Sequence, residues 1–227
     1  MTTYPITITR ASIVDAGAEC EGLDVFDEIA PGGQIIIADL DAHVALLRGP
    51  LANYEEWAVM NGQAPPIVVV SGDFGTAVAG YRGTAVAGHQ GIATVGHYGA
   101  AIAGHHGIAT AGRGGTGTAG HYGTATAGHY GTATAGNYGT AITGRGGGAT
   151  AGNGGTAAAG RYGIIQVFWC DGPRARLLVG YIGEDGLEPD VPYRVTVTDG
   201  AARFVRADGA VGAAIDADAA EASLSAD

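Results

Sequence analysis

Forty-two glycines in 227 residues stand well above the roughly 7% of ordinary proteins, and all eleven basic residues are arginine, with no lysine. No Gly-X-Y period is present, which excludes collagen; no apolar run approaches the roughly 18 to 20 residues of a membrane helix; and Met1-Thr2-Thr3-Tyr4 leads into no secretory apolar stretch. The net charge of -11 is segregated: residues 1–74 carry eleven acids and two arginines, 75–163 carry four arginines and no acid, and 164–227 carry eleven acids and five arginines. So acidic a chain is a poor partner for nucleic acid, and no membrane partner is expected. Cys20 and Cys170 are too few for a disulfide framework and lack metal spacing, which suits a reducing cytoplasm.

Residues 1–66 read as a mostly helical N-terminal cap. A strand is expected at Ile6–Thr9, with helices near Ala11–Ala16 and Leu23–Ile29, the latter stopped by Pro31-Gly32-Gly33. Further helices are expected over Ala42–Leu47 and Tyr54–Met60, the last opened by Asn53 with Glu56 three residues on and closed by Gly62.

Residues 67–163 repeat every eight. Glycine recurs at 75, 83, 91, 99, 107, 115, 123, 131, 139, 147, 155 and 163, and a second glycine follows each of the first eleven by five places. The unit is clearest in Gly123-Thr124-Ala125-Thr126-Ala127-Gly128-His129-Tyr130. Two glycines per octad would cost a helix about 2 kcal/mol per unit, whereas four alternating residues suit a short strand. The sixth-position glycine, with its tolerance of positive φ, is expected to bend the chain. Eight residues cannot enclose an interior, but sixteen can make a flattened coil with one strand on each of two sheets. The fold class expected is therefore mainly β, a small parallel β-solenoid with two 8-residue units per 16-residue coil, about 26 Å long at ~4.8 Å per rung. Near-invariant alanine at the third and fifth positions points inward; the competing reading puts the β-branched residues of the second and fourth positions in the core.

Residues 164–207 read as a β-hairpin C-terminal cap: Ile164–Trp169 with Arg176–Tyr181 around Asp171-Gly172-Pro173, then Tyr193–Thr198 with Ala202–Arg206 around Asp199-Gly200. Such ends hide the unpaired edges of a solenoid. Trp57 and Trp169 read as core anchors. Residues 208–227 are Ala- and Asp-rich without aromatics, the composition of a disordered tail.

Ala119-Gly120-His121-Tyr122-Gly123-Thr124-Ala125-Thr126 resembles the octapeptide of bacterial ice-nucleation proteins, which implies a β-solenoid of sixteen-residue coils. The flanks resemble those of uncharacterised octapeptide-repeat proteins encoded by bacteriophages and prophages. The likeness lies in Ile6-Thr7-Ile8-Thr9-Arg10, in Gly17 to Phe26, and in Gly183-Glu184-Asp185-Gly186-Leu187-Glu188-Pro189-Asp190 followed by Tyr193. That resemblance implies a location in the bacterial host's cytoplasm or in the virion, and it brings no established activity to these residues.

Stacking would put His89, His105, His121, Asn137 and Asn153 in one corner column about 4.8 Å apart. They read as a solvent-facing ladder, because parallel side chains do not converge as zinc ligands must. The alternate column is Tyr81, His97, Arg113, His129, Arg145 and Arg161, with Tyr98, Tyr122, Tyr130, Tyr138 and Tyr162 beside the corners. Arginine next to tyrosine can grip a phosphate, a stacked base or an acidic protein surface, which makes Arg113, His129, Arg145, Arg161, Tyr122, Tyr130 and Tyr138 the candidate binding residues. Ice binding is disfavoured, since no face collects more than two complete Thr-x-Thr units. No enzyme motif is found: a phosphate loop needs a lysine, and Gly115, Gly117 and Gly120 lead into no helix. No catalytic residue, cofactor or metal is expected. The function expected is a non-enzymatic structural or protein-interaction module, oligomeric and phage-encoded. The alternatives are an acidic decoy mimicking nucleic acid and a small-molecule sequestering assembly.

Overall fold

The computed structural model describes residues 5–15, 20–38, 42, 66–198 and 200–207. The helices expected over 42–47 and 54–60 lie outside these residues except at Ala42, as do Trp57 and the 208–227 segment.

The N-terminal segment contains strand β1 (Ile6–Thr9), helix α1 (Arg10–Asp15), helix α2 (Cys20–Ile29) and strand β2 (Gln34–Ile37). Thr9 and Ser12 cap α1 reciprocally: Thr9 Oγ1 accepts the Ser12 N–H and Ser12 Oγ accepts the Thr9 N–H, both at 3.1 Å, a pattern that satisfies two otherwise orphaned donors. Strand β2, unforeseen in the sequence, follows Gly33 (φ 75°) and pairs antiparallel with β1, Ile8 opposite Ile35. Ile8, Ile13, Phe26, Ala30 and Ile37 form this segment's own core.

The array is a parallel β-solenoid of about six turns. One sheet holds β3 (Val68–Val70), β5 (Thr84–Ala87), β7 (Ala100–Ala103), β9 (Thr116–Ala119), β11 (Thr132–Ala135), β13 (Gly148–Ala151) and β15 (Ile164–Asp171). The other holds β4 (Thr76–Ala79), β6 (Ile92–Val95), β8 (Ile108–Ala111), β10 (Thr124–Ala127), β12 (Thr140–Thr143) and β14 (Thr156–Ala159). The register is sixteen throughout, as in Thr124 beside Thr140 and Ala133 beside Ala149. Successive octads therefore alternate sheets, and two make one turn.

Alanine lines the interior. Ala85, Ala93, Ala125, Ala133 and Ala141 are wholly inaccessible, and the fifth-position alanines nearly so. The β-branched residues of the second and fourth positions face outward, with Ile92, Ile102 and Ile108 each more than two-fifths exposed. The reason is space. At Gly117, where ten other octads carry alanine, a Cβ would lie 2.9 Å from the Thr126 carbonyl oxygen of the facing sheet. A leucine or isoleucine has no room between sheets this close.

The glycines keep the turns close too. A Cβ on Gly131 would meet the Gly115 carbonyl oxygen at 2.7 Å, and one on Gly136 would meet the His121 nitrogen at 2.8 Å. Positive φ, however, falls elsewhere than expected. It belongs to the eighth residue of the octad, with Tyr98, Tyr122, Tyr130 and Tyr138 at 56–57°, and not to the sixth-position glycine. Each corner is a four-residue turn closed by a bond such as Gly123 N–H to the Gly120 carbonyl at 3.1 Å. Positive φ at its third residue is the type II arrangement that usually takes glycine.

Beyond the array the chain reverses. Strand β16 (Arg174–Tyr181) runs back along the whole of β15, and β17 (Tyr193–Thr198) pairs antiparallel with β14 at Ala157 and with β18 (Ala201–Arg206). Here the interior widens to take Ile165, Val167, Leu187, Tyr193 and Phe204. Trp169 packs against this core while remaining partly exposed. Cys170 is a free, exposed thiol.

Candidate functional site

The polar and aromatic side chains of the array lie on its two corners, at the seventh and eighth positions of each octad. The corners differ.

The first corner carries Asp73, His89, His105, His121, Asn137 and Asn153 at the seventh position, as the sixteen-residue spacing predicts. His105 and His121 stack at 4.9 Å with ring planes 6° apart, and His89 continues the column at 6.5 Å. The eighth position adds a second stack, His106 on Tyr122 at 5.0 Å and Tyr122 on Tyr138 at 5.1 Å. The Tyr138 ring then covers Gly154, where a Cβ would come within 2.6 Å of it. These rings spend their faces on one another and turn their edges to solvent.

The second corner carries Tyr81, His97, Arg113, His129, Arg145 and Arg161, with Arg82, Tyr98, Gly114, Tyr130, Gly146 and Tyr162 beside them. Tyr98 covers Gly114 and Tyr130 covers Gly146. The Arg113 guanidinium lies over the Tyr130 ring at 5.7 Å and that of Arg145 over Tyr162 at 5.4 Å, a placement favoured by the negative face of the ring. Arg113, His129, Arg145, Arg161 and Tyr130 are thus brought together. Tyr122 and Tyr138 are not: they stand on the first corner, with the histidines, because even-numbered octads turn there.

A further device was not anticipated. His97 Nδ1 accepts the Arg113 N–H at 2.9 Å, His129 Nδ1 accepts the Arg145 N–H at 3.0 Å, and Asn137 Oδ1 accepts the Asn153 N–H at 3.0 Å. Asp73 Oδ1 serves His89 in the same way at 2.8 Å. At these four seventh positions the side chain therefore supplies an acceptor to the corner one turn on. Its sequence signal was the recurrence of Asp, His and Asn there, short side chains with an acceptor two bonds from Cβ.

Among the described residues no three His, Cys, Asp or Glu side chains converge on a metal position, and no helix is long and apolar enough to cross a membrane. What the geometry offers chemically is a scaffold with stacked rings on one edge and guanidinium groups on the other.

No family model, no curated protein and no solved structure matches this chain.

Proposed function

We propose that this chain is a non-enzymatic structural or protein-interaction module that self-associates, borne by a bacteriophage or prophage and acting in the host cytoplasm or in the virion. The observation that carries the reading is the outward placement of the branched side chains. Val70, Val86 and Ile102 stand in register on successive turns of one sheet, with Val70 70% exposed. Ile92 and Ile108 do so on the other. Exposed apolar rows of this kind favour burial against a partner.

The phage assignment rests on the resemblance of the flanks. The C-terminal hairpins, in this reading, end the solenoid by covering its last turn, and the N-terminal segment serves the other end. Nucleic-acid mimicry fits less well, because the regular part of the molecule bears arginine and no acid. Sedimentation of the full chain at micromolar concentration tests the reading. A mass above that of one chain is expected; a monomer at every concentration overturns it.

A further inference from the structure

Every arginine of the acid-free stretch 75–163 lies on the second corner. Arg82, Arg113, Arg145 and Arg161 occupy its first, third, fifth and sixth rungs, a row about 24 Å long at ~4.8 Å per rung. None of the four is in an ion pair among the described residues. Arg113 and Arg145 are already held against tyrosine rings, so less rotamer freedom remains to be lost on binding.

The same corner ends in acid. The Ile182 N–H bonds to the Gly163 carbonyl and the Asp190 N–H to the Ala159 carbonyl, both at 2.9 Å. Residues 183–189 therefore cross directly above the corner Gly160–Gly163. This loop exposes Glu184, Asp185 and Glu188, with Asp190 at its end, and only Glu188 is in an ion pair, with Arg206 at 3.3 Å. Arg161 stands one rung below it. Arg82 and Arg113 stand about 29 and 19 Å below it, beyond the Debye length of about 8 Å in physiological salt. Their own chain's loop cannot neutralise them.

The geometry points to a second copy of this chain as the partner of the arginine row. Two solenoids lie corner to corner and antiparallel, and the acidic loop of each faces Arg82 and Arg113 of the other. A two-fold arrangement makes both contacts at once, and it is the commonest symmetry of soluble oligomers. A long polyanion fits less well, since one laid along the row would run onto the acidic loop. The inference deepens the self-association proposed above and rests on it.

The test is a charge exchange on the full chain, read by sedimentation at low and high salt. One variant is Arg82→Glu with Arg113→Glu; the other is Glu184→Arg with Asp185→Arg. All four side chains are exposed, and circular dichroism checks that each variant folds; if either does not, the corresponding Gln substitutions replace it. Each variant alone should self-associate at least roughly tenfold more weakly than the original chain, and salt should weaken the original. An equimolar mixture should recover a dimer, because row and loop are again complementary in both contacts. Self-association indifferent to salt and to both variants would overturn the corner contact and leave the apolar faces as the interface. A monomeric original chain would remove both. Retention of the original chain on immobilised heparin, lost in the arginine variant while its mass is unchanged, would assign the row to a polyanion instead.

Discussion

His129 Nδ1 accepts the backbone N–H of Arg145, sixteen residues on, at 3.0 Å. The bond joins two turns of the solenoid at the corner, where the strands' own ladder has ended. Only an imidazole with its proton on Nε2 can make it. Asn137 does the same for Asn153 with an amide oxygen. His129→Asn should accordingly leave stability nearly unchanged, while His129→Phe should lose about 1 kcal/mol, the net worth of one such bond. Urea unfolding of both variants checks this.

The close approach of successive turns separates the glycines into two kinds. At Gly139 a Cβ would lie 2.8 Å from the Gly123 carbonyl oxygen, whereas at Gly148, an outward strand position, nothing lies within 4 Å. Gly139→Ala should destabilise by several times more than Gly148→Ala, and the latter should be neutral or slightly stabilising, since glycine in a strand interior weakens it by roughly 0.5–1 kcal/mol. Thermal melts of the pair measure the difference.

Thr143 occupies a fifth position that nine other octads give to alanine. It is 3% exposed, and its Oγ1 has no hydrogen-bond partner. A buried hydroxyl left unpaired costs about 1–3 kcal/mol. Val95 shows that the fifth position admits a branched side chain, at 4% exposure. Thr143→Val should raise the unfolding free energy by about 1 kcal/mol, and a fall would mean that the hydroxyl has a partner.

The eighth position stores strain. Gln90 has φ 53° and Tyr122 φ 56°, a region that costs a residue with a Cβ of order 1–3 kcal/mol. Gln90→Gly should relieve this and stabilise. Tyr122→Gly should gain much less, because it gives up ring contacts with His106 and Tyr138. Equal gains in the two variants would deny the stacks any energetic role.

The octad period made the winding legible, because four alternating residues suit a short strand and sixteen residues, not eight, can close a coil. Near-invariant alanine likewise made the interior legible, as a statement about available volume. The positive φ at the eighth position was hidden, since tyrosine, phenylalanine and glutamine, which stand there, rarely adopt it; Gly114, Gly146 and Gly154 hinted at it. The division of the tyrosines between corners was hidden for a simpler reason. Tyr122 and Tyr130 are one octad apart and look alike in sequence, yet one octad is half a turn. The return of β17 onto β14 depended on contacts of Tyr193 that no local pattern announces, and β2 on a partner strand twenty-eight residues earlier.

The vertical stacking of each residue on its counterpart two octads away is the claim from which the ladders, corners and rows all follow. Pyrene labels at cysteines placed on the outward positions Thr124 and Thr140, in a chain whose Cys20 and Cys170 are replaced by serine, measure it directly. Thr124 and Thr140 are neighbours in register, so strong excimer emission is expected from that pair and none from labels at Thr124 and Thr132, which lie on opposite sheets. Excimer emission from the eight-residue pair, or from neither pair, would contradict the account.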